Sequence, residues 1–299
     1  MPEPPPLPPI ATQPLSVVLL AHNNSPHAER QVVVAEWLAF LTGLGREFEL
    51  IVVDDGSAEP KSPLPGPHPC FHFLRHATPQ GEGAALRTAL AVARHPLLAY
   101  APCDPRYPPG DLQRFLTKRA HPDKPGLEID HVHLMSGFRA GRRVPLLWRL
   151  PGALWRVIAR VVFSYAPAPL PGWLGWRRHA AGLLVRWLFG VRYRDVASPF
   201  RLLRREIFAR IPLQSDGPFV HVEVVAKANF LGHILGEELP LQVPPDGPSP
   251  VVCGGARELL AEAVRLFRRP DFGPPVPERP HSQADPAPGA ASNEAPAPR

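Results

Sequence analysis

Asp104 stands in the stretch APCDPRYPPGDL, just after an apolar run and between Cys103 and Pro105. A carboxylate at a strand end can hold Mg2+ or Mn2+ when substrate phosphates and water supply the other oxygens. It can equally cap the helix that Pro108 and Pro109 open. Asp54 and Asp55, followed by Gly56 and Ser57, close another apolar run. Two acids there can accept bonds from a ribose or from an amide N–H of a base, or they can form an Asp-Gly turn. Gly81 and Gly83 open a helical stretch whose N-terminus favours an anion, although Glu82 between them disfavours phosphate. Arg139, Arg142, Arg143 and Arg201 are candidate phosphate ligands, because a guanidinium fork matches phosphate oxygens. Glu223, inside an apolar helix, is either a partner for one of these arginines or a core acid.

These residues need a scaffold, and the periodicity supplies one. Residues 15–21 and 49–53 are short β-branched runs that read as buried parallel strands, with a helical pattern over 28–44 between them. Residues 71–74, 97–104, 131–139 and 233–243 read as further strands. Helical patterns lie over 81–95, from 108 onward, over 219–232 and over 256–269. Strands alternating with helices predict an α/β protein with a mostly parallel sheet covered on both faces.

Residues 144–190 differ from the rest. They hold five of the six tryptophans, and Arg149, Arg156 and Arg160 fall on one helical face. The longest charge-free run there, 161–176, contains three prolines, so a membrane-spanning helix is not expected. Amphipathic helices rich in Trp and Arg suit a membrane interface, or they pack on the sheet with their arginines in solvent. Between Arg139 and Arg210 there are fifteen arginines, no lysine and two acids, a net of +13 in a chain of net +6, so the remainder is −7. Such a block needs an acidic partner, and apolar Trp-rich helices fit lipid better than nucleic acid.

Residues 1–14 carry seven prolines and residues 270–299 carry nine, without apolar periodicity. Both read as extended, disordered tails. The organisation expected is then a tail (1–14), a catalytic domain (15–250) with the amphipathic insert (144–190), a C-terminal amphipathic helix (251–269) and a second tail (270–299). Cys70, Cys103 and Cys253 are too few and too scattered for a disulfide framework, and no secretory signal is visible. A cytoplasmic protein peripherally attached to the membrane is expected.

In order along the chain, SVVLLAHNN, VVDDGS, GEGAALRTAL, CDPRYPPGDL, SGFRAGRR, DVASPFRLLRREIF and HVEVVAKANFLGHILGEELPL resemble motifs of inverting glycosyltransferases of family 2, most closely those that use dolichyl or polyprenyl phosphate. The resemblance implies a GT-A fold, Rossmann-like, binding a nucleoside-diphosphate sugar and passing the sugar to a polyprenyl phosphate. By position it implies a donor site of Ala21, His22, Asn24, Val53, Asp54, Asp55, Gly81, Gly83, Cys103 and Arg106. Asp104 would hold the metal, Mg2+ or Mn2+, with Arg139 and Arg201 on diphosphate or acceptor phosphate. A phosphate acceptor is already ionised at neutral pH, so it needs no protein base. Several positions depart from the family pattern: Leu20 and Asn24 replace a proline and a glutamate, Glu82 a lysine, Pro102 the first metal acid, Arg106 a glutamine and Pro199 a glycine. With one acid left, two readings stay open: Arg106 neutralises the diphosphate in place of part of the metal site, or the chain is a catalytically impaired relative that binds partners.

Overall fold

The computed structural model describes residues 9–22, 26–58, 62, 68–118, 132–139, 157, 161, 185–191, 193–231, 236–242 and 256–273. Seven strands form one sheet: β1 (Leu15–Ala21), β2 (Phe48–Asp54), β3 (Phe71–Arg75), β4 (Leu97–Pro102), β5 (Leu134–Arg139), β6 (Arg201–Arg204) and β7 (Gly236–Leu241). Their order across the sheet is β3-β2-β1-β4-β6-β5-β7. β6 runs antiparallel to both its neighbours, and every other pairing is parallel. β6 is a strand that the apolar periodicity did not announce: it is four residues, RLLR, with an arginine at each end.

The period of two in the strands sorts their side chains onto two cores. Leu15, Val17 and Leu19 of β1 and Leu50 and Val52 of β2 pack under α1 (His27–Gly43) and α3 (Gly110–Thr117), through Val33, Val34, Trp37, Leu112 and Phe115. Val18 and Leu20, with Ile51 and Val53, face α2 (Glu82–Val92), α4 (Ile207–Arg210) and α5 (Val220–Leu231). Because both faces are covered, the strands read as unbroken apolar runs. A smaller cluster joins α5 to α6 (Ala256–Arg268) and to residues 185–191.

Two expected boundaries shift. The last residues of the 1–14 segment belong to the body: Ile10 is buried, and the Arg46 guanidinium donates to the carbonyls of Ile10, Ala11 and Gln13. At the other end Phe272 packs on the α2 and α5 core, and the Asp271 N–H donates to Gln214 at 2.9 Å. A short apolar or aromatic residue amid prolines has no period to reveal it, but it fills space left by the sheet. Asn24, Arg142, Arg143, Cys253 and most of the 144–190 insert lie outside the described residues. Among the described residues no helix is long and apolar enough to cross a membrane.

Candidate functional site

β1 feeds β2 on one side and has β4 on the other, so the direction of winding reverses between β1 and β4. Ligands of open α/β sheets bind beyond the carboxyl ends of the strands at such a switch point. A cleft of about 280 Å3 opens there, lined by Ala21, His22, Glu29, Asp55, Gly81, Glu82, Cys103, Asp104, Arg106 and His221, among others. A larger cavity, about 660 Å3, lies at the opposite ends of the strands beside Gln13, Pro96 and Arg204, away from these side chains.

Of the expected donor-site residues, Ala21, His22, Asp55, Gly81, Cys103, Asp104 and Arg106 line the cleft. Val53 does not: it is wholly buried in the α2 and α5 core. Asp54 does not either. Its carboxylate meets Arg30 at 3.1 Å and accepts from the Ser57 hydroxyl at 2.7 Å, with no exposure to solvent. Asp55 lines the cleft but organises the chain around it, accepting from the backbone N–H of Gln80 and Gly81 at 2.8 Å each and bonding the His76 ring at 2.8 Å.

The glycine pair has another purpose than an anion cradle. The N–H groups of Gly83 and Ala84 donate to the Asp216 carbonyl at 2.6 and 3.2 Å. The helix N-terminus is thus capped by the chain itself. A Cβ at Gly81, where φ is +100°, would lie 2.5 Å from that same carbonyl oxygen, and one at Gly83 would overlap the Ser215 carbonyl. The glycines admit residues 215–217 against α2. Glu223 holds that segment from the other side: it accepts from the N–H groups of Gln214 and Ser215 at 2.7 and 2.8 Å and pairs with Lys227 at 2.7 Å. It is a core acid, and its cation is a lysine.

Arg139 and Arg201 are also placed away from the cleft lining. Arg139 grips Asp195 through two bonds of 2.6 and 2.7 Å; burial disfavours its charge, but Asp195 outweighs this and raises its pKa. Arg201 is 0% exposed and stands opposite Tyr100 on β4 and Ser136 on β5. It donates to the Val196 carbonyl at 2.8 Å and lies against the Tyr100 hydroxyl. The His221 ring stacks on Tyr100 with centroids 5.7 Å apart, so Arg201 lies beneath the cleft floor.

Two cleft residues escaped the sequence reading as functional groups. His221, near the start of α5, bonds the Glu82 carboxylate at 2.8 Å across 139 residues of chain. Burial, the largest influence, lowers the His221 pKa despite Glu82 and leaves the ring neutral. Its Nε2–H then donates to Glu82. Glu82 was visible only as the wrong charge for a phosphate loop. No sequence signal pairs it with His221, because only the packing of α2 against α5 brings them together.

The Asp104 carboxylate sits in a tight turn after β4. One oxygen accepts from the Arg106 backbone N–H at 2.8 Å and from its Nε at 2.9 Å; the other accepts from Nε at 3.0 Å and from Nη2. Burial opposes the charge, but these bonds prevail and hold the Asp104 carboxyl below its usual range. The neighbouring Cys103 thiol is pushed up to about 12 by burial and stays protonated. A divalent ion of the Mg2+ or Mn2+ kind takes about six oxygen ligands, from one or two carboxylates together with substrate phosphates and water. Here Asp104 is engaged by Arg106 on both oxygens, and Asp55 and Glu82 are bonded to the backbone or to histidine. Among the described residues no group of three or more His, Cys, Asp or Glu could hold a metal ion. The described residues therefore offer no preformed set of protein ligands for the metal that the resemblance implies.

Residues 16–150 match the family model "Glycosyl transferase family 2". No curated protein matches the chain significantly. Among solved structures, glucosyl-3-phosphoglycerate synthase from Mycobacterium tuberculosis in complex with Mn2+, uridine-diphosphate and glucosyl-3-phosphoglycerate is similar at 17% identity and a TM-score of 0.53, over 87% of this chain and 82% of that one. Mannosyl-3-phosphoglycerate synthase from Rubrobacter xylanophilus is similar at 19% identity and a TM-score of 0.53, over 86% of this chain and 74% of that one. These neighbours are not dolichyl-phosphate transferases, and at such identities they speak to the fold. The segment 16–150, which supplies β1 to β5 and most of the cleft, is similar to glycosyl transferase family 2, and the sheet it helps to form is GT-A-like.

Proposed function

We propose that the chain transfers a sugar from a nucleoside-diphosphate donor, seated in the cleft between β1 and β4, to an acceptor hydroxyl. The family match and the position of the cleft support the donor class; one structural neighbour, the glucosyl-3-phosphoglycerate synthase from Mycobacterium tuberculosis, was solved with uridine-diphosphate and with uridine-diphosphate-glucose. The Glu82–His221 pair carries the choice of acceptor. A sugar or glycerate hydroxyl is a poor nucleophile until a base takes its proton. Glu82 lines the cleft with 19% of its side chain exposed, and His221 fixes the orientation of its carboxylate.

In this reading the acceptor oxygen attacks the anomeric carbon from the face opposite the diphosphate, and the configuration inverts. The hydroxyl proton passes to the Glu82 carboxylate. The electron pair of the breaking C–O bond leaves with the diphosphate, whose added charge is met by the Arg106 guanidinium. His221 is a positioning residue: it orients Glu82 and does not touch the sugar.

Release of nucleoside diphosphate from a panel of UDP- and GDP-sugars, with phosphoglycerate and sugar acceptors, tests the proposal. Glu82→Gln lowers kcat by about 10²–10⁴-fold, the usual worth of a positioned base, while nucleoside diphosphate binds no more weakly, since an acid of the cleft is neutralised. Absence of nucleotide-sugar binding by the wild type sinks the reading, and binding without turnover on any acceptor favours the impaired relative.

A second reading keeps polyprenyl phosphate as acceptor and the membrane surface as its setting. It rests on the Arg- and Trp-rich 144–190 segment, whose Trp187 is exposed. Transfer to polyprenyl phosphate in vesicles that survives Glu82→Gln would favour it, since an ionised phosphate needs no base.

A further inference from the structure

Arg106 and Asp104 form a rigid pair at the carboxyl end of β4. The turn is fixed at both sides: the Cys103 N–H donates to the Leu20 carbonyl at 2.8 Å, and the Tyr107 N–H to the Asp104 carbonyl at 3.0 Å. Tyr107 is buried and stacks on Phe200 with centroids 6.5 Å apart. The guanidinium is therefore held in place before any ligand arrives. It is 29% exposed and faces the cleft. Among the described residues lining that cleft it is the one permanently charged cation, against Glu29, Asp55, Glu82 and Asp104.

A diphosphate cannot enter such an acidic cleft without a counter-charge. Two carboxylates holding a divalent ion make a site of zero net charge. Asp104 with Arg106 reaches the same sum with one acid and one base, and no ion. The Nε and Nη2 of Arg106 donate to Asp104, so the guanidinium meets the diphosphate chiefly as a fixed positive charge.

We propose that the Arg106 guanidinium, held by Asp104, takes the place of a divalent cation, so that the cleft binds the diphosphate of its donor without metal. The inference rests on the nucleotide-sugar reading above and deepens it. Asp104 becomes the residue that positions a cation already built into the chain. When the anomeric C–O bond breaks, the negative charge on the departing diphosphate lies against a fixed positive group that needs no loading.

The test is calorimetric titration of UDP and GDP into the full chain, in EDTA and again in MnCl2. The wild type binds one of the two with dissociation constants within about threefold of each other under the two conditions. In EDTA, Arg106→Gln weakens binding about tenfold or more, as expected for loss of a charge-assisted bond, and Arg106→Lys recovers part of it. Wild-type binding that collapses in EDTA and returns with Mn2+ overturns the proposal and leaves the donor reading intact. No binding under either condition removes the donor reading and the proposal with it. The chelator arm uses the wild type alone, so it decides the matter even where a variant folds poorly.

Discussion

Glu238 shows what a single half-buried acid does to this protein. Its carboxylate accepts from the backbone N–H groups of Arg194 and Asp195 at 2.7 and 3.3 Å, next to the Asp195–Arg139 pair. Burial is the largest influence and, with the Asp195 charge, pushes its pKa up to about 7 despite those bonds. A raised carboxyl pKa means that the folded state holds a proton which the unfolded chain has released. Its contribution is therefore present below the ordinary pKa near 4.5 and is lost as pH rises towards 7. Glu238→Gln stays neutral throughout. It should gain on the wild type as pH climbs from 5 to 8, by on the order of 2 kcal/mol, in urea unfolding followed at each pH. A stability difference between the two proteins that stays constant from pH 5 to 8 would show that Glu238 titrates normally. The sequence held Glu238 in plain view within the motif GEELPL, but a pKa depends on what surrounds a group, and residues 194 and 195 reach it from another part of the chain.

At the scale of elements, the approach of residues 215–217 to the start of α2 is the contact on which the cleft depends. It carries the bonds from Gly83 and Ala84 to Asp216, and from Gln214 and Ser215 to Glu223. Gly83→Ala should force the two elements apart, because the obstacle is a backbone carbonyl that cannot rotate aside as a side chain would. The expected loss is about 1–3 kcal/mol, the range for overpacking, read as a lowered melting temperature. A melting temperature equal to the wild type's would mean that the two segments are not in close contact. The glycines were legible in GEGAALRTAL, and so was the helix they open. What they make room for was not legible, since the partner lies more than 130 positions away. The same distance hid His221 from Glu82. Short motifs identify which residues stand at strand ends; they do not identify which of those residues face each other, and Val53, Asp54, Arg139 and Arg201 all stand beside the cleft without lining it.

For the molecule as a whole, the two ends of the sheet have separate duties. The cleft lies at the carboxyl ends of β1 and β4, and the segment before β1 closes the opposite end. β1 is seven residues, about 20 Å at the usual rise, so the two ends are mechanically distant. Ile10→Ala should cost about 2–4 kcal/mol in urea unfolding and leave the affinity for nucleoside diphosphate unchanged. A change in affinity larger than the loss of folded protein would show that the ends communicate.

The sequence by itself determined the α/β class, the order of most strands and helices, and the likeness of residues 16–150 to glycosyl transferase family 2, because local apolar periodicity and ordered motifs are properties of contiguous residues. It also located the loops after β1 and β4 that hold His22, Asp104 and Arg106. Only the tertiary structure decided that β6 runs antiparallel inside the sheet and that residues 9–14 and 270–273 pack on the body. It alone turned Glu82 from a misplaced charge into half of a pair with His221. It alone engaged both oxygens of Asp104 with Arg106. The last is a turn between residues two apart; the others depend on which distant segments share space, which residue type alone does not settle.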